Sequence, residues 1–156
     1  MIKIDIPGRG PLTIKHIVFD VNGTLAVDGQ LIRGVTSALQ SLSQNFSIHL
    51  LTADTHGKQH EIDQVIGITA ERVEQGHEAE QKAAFIQQLG ADYTAAIGQG
   101  ANDALMLDRA AIGICLLSPE GTARETLDSA DLIIGNILSA IELFQKPDRL
   151  KASLRR

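Results

Sequence analysis

Ile17-Val18-Phe19-Asp20-Val21-Asn22-Gly23-Thr24-Leu25 reads as a buried strand that pushes a carboxylate out of its carboxyl end into a tight turn. The apolar run is of strand type, Asn22-Gly23 is a turn signal, and a hydroxyl closes the turn. Open α/β sheets place their chemistry at such strand ends. Gly23 allows backbone to approach a ligand, because no Cβ stands in the way. A working site centred on Asp20 is therefore the first expectation.

Outward from this stretch, strands alternate with helices. Residues 2–6 alternate apolar and polar, and the cluster Pro7-Gly8-Arg9-Gly10-Pro11 turns the chain toward a second strand at 12–14. That hairpin leads into the central strand, 15–20. Asp28-Gly29 is a further turn signal, so 21–33 is expected to form a small flap. Helices are expected over 35–44, 56–66, 78–89 (with Gly90 as its C-cap), 102–110, 121–129 and 137–145. The intervening strands are expected at 46–51, 68–73, 93–97, 112–117 and 132–134. This alternation predicts βαβ units, a mainly parallel sheet and three layers. The chain of 156 residues reads as one domain: hairpin 2–14, core 15–145 and basic tail 146–156, the tail expected to be a solvated helix or a frayed end.

Composition excludes several classes of function. A formal charge of −5 argues against nonspecific nucleic-acid binding, which depends on Lys and Arg neutralising phosphates. With no Trp and one Tyr, Tyr93, there is no platform for stacking bases. No apolar run approaches a bilayer span, so no membrane role is expected. The N-terminus carries no signal-peptide pattern, because Lys3, Asp5 and Arg9 interrupt it. The lone cysteine, Cys115, cannot form an internal disulfide, which fits a reducing cytoplasm; flanked by Ile114 and Leu116, it reads as core.

Four positions at or beside expected strand ends carry the chemistry: Asp20, Thr52, Lys82 and the pair Asn102-Asp103. In a parallel sheet such residues converge on one crevice. Asp20 is a carboxylate able to attack phosphorus, and Thr52 could hydrogen-bond a phosphoryl oxygen. Lys82 could neutralise charge on the transferring group, and Asp103 offers oxygen suited to Mg²⁺. Singly, each has an ordinary reading. Asp20 could start a turn, Thr52, Asp54 or Thr55 could cap a helix, and Lys82 could be solvated. Asn102 could be an N-cap, with Asp103 favouring the helix dipole. It is their order and their placement together that point to a site. His56 and His60, four apart, read as a solvated helix face rather than a metal pair, and His16 and His49 as packing residues.

These segments resemble the haloacid dehalogenase-like superfamily, in particular the phosphorylation domain of P-type ATPases and the small soluble proteins similar to it. Phe19-Asp20-Val21-Asn22-Gly23-Thr24-Leu25 resembles the first motif, with its nucleophilic aspartate. Leu51-Thr52-Ala53-Asp54 resembles the Thr-Gly-Asp motif, Gln81-Lys82 the motif lysine, and Gly98-Gln99-Gly100-Ala101-Asn102-Asp103-Ala104 the Gly-Asp-Gly-x-Asn-Asp loop. The similarity continues through Leu107, Ala110, Ile112-Gly113-Ile114 and Ala130-Asp131. It covers residues 15–145 in order, leaving out the hairpin and tail. The resemblance implies a Rossmann-like sheet, Mg²⁺ dependence and an aspartyl-phosphate on Asp20. It implies phosphate binding by Thr52, Ala53, Lys82 and Asn102. It also implies a metal site from Asp20, the carbonyl of Asn22, Gln99 and Asp103, the last directly or through water.

Two departures weaken the expected turnover. Phosphatases of this superfamily carry a second, acid–base aspartate where this chain has Asn22, and general acid–base help is typically worth ~10²–10⁴-fold. Gln99 stands where the superfamily usually has a metal-binding Asp. The intervals from Asp20 to Thr52 and from Thr52 to Lys82 hold no cap domain. There is also no room for a nucleotide-binding insertion. A neighbouring subunit, a large substrate or the flap would have to cover the site. Three functions follow as expectations: a Mg²⁺-dependent phosphatase or phosphotransferase on an unidentified phosphorylated substrate; a catalytically impaired phosphate- or Mg²⁺-binding regulatory module; and a capless sugar-acid-phosphate-type phosphatase assembled as a tetramer.

Overall fold

The computed structural model describes residues 1–54 and 57–156. Its centre is a six-stranded sheet in the order β10-β9-β8-β3-β6-β7, parallel at every pairing. The strands are β3 (His16–Asp20), β6 (Ser47–Thr52), β7 (Glu71–Arg72), β8 (Thr94–Gly98), β9 (Ile112–Leu116) and β10 (Leu132–Ile134). β1 (Ile2–Ile6) and β2 (Gly10–Ile14) form a separate antiparallel hairpin, and β4 (Ala26–Val27) and β5 (Gln30–Leu31) form the flap. The helices are α1 (Val35–Ser43), α2 (Gln59–Ile66), α3 (Glu78–Leu89), α4 (Ala104–Arg109), α5 (Arg124–Ser129), α6 (Ile137–Gln145) and α7 (Pro147–Leu154).

β3 shows why the layers form. Strand side chains alternate between faces, and both faces of this strand are apolar. Ile17 and Phe19 enter one buried cluster with Leu39 of α1, Ile62 of α2 and Ile141 of α6. Val18 enters a second cluster with Ile86 of α3, Met106 and Leu107 of α4, and Cys115 of β9. Gly113 fits α4 closely onto β9: a Cβ there would lie 2.5 Å from the Leu107 carbonyl oxygen. The connections from β3 through α1 to β6 run toward one edge, while β8 lies on the other side of β3. The sheet therefore changes direction between β3 and β8, where open α/β sheets leave a crevice beyond their carboxyl ends.

Several expected boundaries shift. The helix expected from 102 begins as a 3₁₀ turn, Ala101–Asp103, before α4. The helix expected over 121–129 starts later, at Arg124, because the preceding turn is tied up by Ser118 and Thr122. The strand expected near 68–73 shrinks to two residues. The helix expected over 56–66 is described from Gln59, and its first position, with His56 of the histidine pair and the Thr55 cap, lies outside the described residues. The basic end is a helix, as one of the two expectations had it, but it is neither frayed nor solvated on every side. It forms α7, which buries Leu150 and Leu154 in the main cluster and packs against β1 and α6. Its charges hid that stripe because Leu150 and Leu154 stand four apart among polar residues.

Candidate active site

The turn after β3 sets the geometry. The Val21 carbonyl accepts N–H bonds from Thr24, Leu25 and Ala26, winding the chain back immediately beyond Asp20. Gly23 sits at φ +80°, and a Cβ on it would lie 2.3 Å from Gln99 Nε2. Only glycine meets both demands. Thr24, buried in this turn, donates its hydroxyl to Asp20 Oδ2 at 3.1 Å.

Asp20, Lys82 and Asp103 form one buried cluster. Lys82 Nζ lies 2.7 Å from Asp20 Oδ1 and 2.6 Å from Asp103 Oδ1. Lys82 and Asp103 are fully buried and Asp20 nearly so. The solvated-lysine reading of Lys82 therefore fails: α3 aims this side chain inward beneath the strand ends. Gln81, the preceding residue, bonds the backbone N–H and carbonyl of Glu74 and the carbonyl of His77, anchoring the loop at the head of α3.

Two carboxylates share one ammonium, and the titrations follow from that. Burial, then repulsion from Asp103, pushes Asp20 up to about 7 against the pull of Lys82. Burial works against the charge of Lys82, but Asp20 and Asp103 outweigh it and raise its pKa. Burial, with Asp103 second, pushes the Cys115 thiol up to about 11, which leaves it protonated and unsuited to attack.

Thr52 ends β6 fully buried. Its Oγ1 accepts the Asn22 side-chain amide at 3.1 Å and the Asp54 N–H at 2.9 Å, which leaves the hydroxyl proton free to donate. Ala53 lies between them in the same turn, and Asp54, at φ +50°, accepts the N–H of Gln59 at the start of α2. Gln99 follows β8, and its Nε2 donates to the Asn22 carbonyl at 3.2 Å. Asn102 is half-buried in the 3₁₀ turn, its Oδ1 beside Gly100.

Asp103, expected to serve the metal directly or through water, is hydrogen-bonded to the chain through both carboxylate oxygens. Its Oδ2 accepts the N–H groups of Gln99 and Gly100 at 2.9 and 3.0 Å, while Oδ1 takes Lys82. Both oxygens are engaged, so Asp103 clamps the Gln99 loop and orients Lys82. Gly98 makes room for it, since a Cβ there would lie 2.5 Å from the carboxylate.

The oxygen donors at this rim are of the kind a hard divalent cation takes. The Asn22 carbonyl and, after a half-turn exchanging its amide O and N, Gln99 are the pair in contact, and the Asp20 carboxylate, two residues before Asn22 at the same strand end, is the charged oxygen donor beside them. The 3.2 Å between the Asn22 oxygen and the Gln99 amide matches the roughly 3 Å edge of an octahedron with ~2.1 Å bonds. One carboxylate is few for Mg²⁺, but such sites commonly complete the shell with water and phosphate oxygens. Among the described residues there is no group of three His, Cys, Asp or Glu side chains placed to hold a metal.

Two further residues shape this rim. Thr24 was visible as the hydroxyl closing the turn. Glu120, from the loop after β9, comes within 3.1 Å of the Cβ position of Gly23 and bonds the flap, a contact 92 residues away in sequence that no local pattern signals. Away from the site, His16 Nδ1 and His49 Nε2 lie 3.2 Å apart near the other end of the sheet, and the His60 ring is hydrogen-bonded to the Gln64 side chain. No helix among the described residues is long and apolar enough to cross a membrane.

No family model matches the chain. An uncharacterized protein of Methanocaldococcus jannaschii is 42% identical over 60 residues, 38% of this chain and 64% of that protein. The chain thus spans less than two thirds of this relative's length. A second uncharacterized protein of the same organism is 44% identical over 39 residues, 25% of this chain and 89% of that protein, and the chain belongs to its family. Among solved structures, 3-deoxy-D-manno-octulosonate 8-phosphate phosphatase from Moraxella catarrhalis, in complex with magnesium, phosphate and KDO, superposes with a TM-score of 0.66. It is 23% identical, over 91% of this chain and 94% of that one. A cobalt-bound deoxy-D-mannose-octulosonate 8-phosphate phosphatase from Haemophilus influenzae gives 0.62 at 14% identity, over 86% and 90%. A zinc-transporting PIB-type ATPase in its E2.Pi state gives 0.64 at 24% identity, over 80% of this chain and 20% of that one. At these identities the likeness is one of fold.

Proposed function

We propose that this chain, which has the haloacid dehalogenase-like fold, is a Mg²⁺-dependent phosphohydrolase that works through an aspartyl-phosphate on Asp20. The observation that carries the reading is the cluster at the sheet's switch point: Asp20 at a strand end, 2.7 Å from a fully buried Lys82 that Asp103 holds from its other side. A structural ion pair would not need a second carboxylate, and burying two beside one ammonium costs stability. A phosphoryl group with a cation beside it would balance that arrangement.

In this reading Asp20 Oδ attacks phosphorus, a P–O bond to Asp20 forms, and the bond to the leaving oxygen breaks. Lys82 and the Thr52 hydroxyl hold the equatorial oxygens as charge builds on them. Asp20, the Asn22 carbonyl and Gln99 would hold Mg²⁺, whose charge would keep Asp20 ionised and offset that of the phosphoryl oxygens. Asp103 fixes Lys82 and the Gln99 backbone, and Thr24 orients Asp20. Water then attacks the aspartyl-phosphate, releasing phosphate and restoring Asp20. Asn22 has no proton to give the leaving oxygen, and its amide is committed to Thr52, so water must provide that proton. Turnover should be slow, and the phosphoenzyme long-lived.

The substrate is a phosphomonoester reached through an open rim, covered by the flap, a large substrate or a neighbouring subunit. Asn22 also favours a second reading, in which binding of phosphate and Mg²⁺ without useful hydrolysis makes the chain a regulatory module. A third, the tetrameric sugar-acid-phosphate type, would be countered by a monomer in solution. A phosphatase panel with Mg²⁺, run on wild type and Asp20→Ala, tests the first reading. Activity is expected in wild type alone, and equal activity in both would remove Asp20 from the mechanism.

A further inference from the structure

Glu120 is an exposed carboxylate whose two oxygens face different parts of the site. Oε1 accepts the backbone N–H of Asp28, in the turn between β4 and β5, at 2.7 Å. Oε2 takes no hydrogen bond from a described residue and stands 3.1 Å from the Cβ position of Gly23, which is itself 2.3 Å from Gln99 Nε2. The Glu120 oxygen and the Gln99 amide are therefore at most the sum of these, about 5.4 Å, apart.

This placement is held from several sides. The Glu120 N–H donates to Ser118 Oγ and the Gly121 N–H to the Ser118 carbonyl, which builds the turn. The Ala123 N–H donates to the Gln99 carbonyl at 2.9 Å, tying the loop that bears Glu120 to the residue it faces. Glycine at 23 keeps the gap open, since any side chain there would stand between the two.

We propose that Glu120 is the charge partner of the divalent ion, placing near the Gln99 corner the negative charge that Gln99 itself does not carry. This inference rests on the phosphohydrolase reading. The Asp20, Asp103 and Lys82 charges sum to only one negative, a poor match for a divalent cation. Mg²⁺ keeps several of its waters when bound, and a carboxylate one water removed accepts hydrogen bonds from them. With its other oxygen tied to the flap, Glu120 acts in this way, through the ion's water, at a distance from the Gln99 amide of at most about 5.4 Å. The same side chain holds the flap, so loading the site and fastening the flap are coupled through one residue.

Mn²⁺, which takes the same oxygen ligands and reports its free concentration by electron paramagnetic resonance, is the probe. Glu120→Gln keeps an oxygen for the Asp28 N–H and loses the charge, whereas Glu120→Ala loses both. Groups one shell out typically contribute 10–100-fold to metal affinity, so Glu120→Gln should bind Mn²⁺ on the order of tenfold more weakly than wild type. The difference should shrink as KCl is raised, as expected of a screened, exposed charge. Gln99→Asp in the Glu120→Gln background should restore binding. The metal-free melting temperature of Glu120→Gln should match wild type, since its latch and fold are intact. Wild-type affinity in Glu120→Gln, with weakening only in Glu120→Ala, would make Glu120 a latch alone and overturn the proposal. Failure of Gln99→Asp to rescue would overturn it as well. Absence of Mn²⁺ binding by wild type at millimolar ion would overturn the phosphohydrolase reading and this inference together.

Discussion

Asp20→Asn should stabilise the metal-free protein, and increasingly so as the pH rises. The folded protein holds the Asp20 carboxyl at about 7 against an ordinary 3.8, first through burial and then through Asp103. Between those two values folding takes up a proton, so the contribution of Asp20 to stability is present below pH 3.8 and is lost as pH rises through about 7. The shift of roughly three units corresponds to a ceiling of about 4 kcal/mol at pH 8. Asparagine is the neutral isostere: its Oδ1 can still accept Lys82, and Thr24 can turn its hydroxyl to accept the amide. If half the ceiling is realised, the gain is about 2 kcal/mol, roughly 4–8 °C in melting temperature for a domain of this size. Urea and thermal unfolding in EDTA at pH 4.5 and pH 8 measure it. A variant no more stable than wild type at pH 8, or one whose gain is the same at both pH values, would rule out a charge-strained Asp20. Either result would mean that the cluster holds no excess negative charge awaiting a cation.

Other outcomes follow from the same geometry. Mg²⁺ at a hundredfold its dissociation constant should stabilise wild type by about 2.7 kcal/mol in the same melts, and leave Asp20→Asn unmoved. Asn22→Asp should raise phosphomonoester hydrolysis by up to ~10²-fold, because it puts a titrating proton near the leaving oxygen; no gain at saturating Mg²⁺ would show that position 22 does not limit turnover. Lys82→Met should leave Asp20 and Asp103 facing each other uncompensated and cost about 3–5 kcal/mol at pH 8, recovered in part by adding Asp20→Asn. Gly23→Ala should both strain the turn and displace Gln99, lowering stability and Mn²⁺ affinity together, which calorimetry and a metal titration would register.

Much of the fold was legible because its signals are local. The continuous apolar runs of β3, β8 and β9 announce strands buried on both faces, and Gly90 closes α3 where the pattern places it. Short elements were less legible: β7 has two residues and owes its existence to pairing with β6 rather than to its own sequence. The α7 dock against β1 depends on the hairpin some 140 positions earlier, which no window of sequence contains. At the site, Asp20, Thr52, Lys82 and Asp103 could be named from order and strand ends. What each side chain touches could not. That Asp103 gives both oxygens to Lys82 and to the Gln99 loop, and that Glu120 reaches Gly23, are consequences of packing between separate strands.

The central claim is that Asp20 transiently carries a phosphoryl group. Incubation with a small phosphoryl donor such as acetyl phosphate and Mg²⁺, acid quench and peptide mass spectrometry test it directly. A single phosphoryl adduct is expected on the peptide containing Asp20, present in wild type, absent in Asp20→Asn and shorter-lived in Asn22→Asp. An adduct on another residue, or none despite phosphate release, would contradict it.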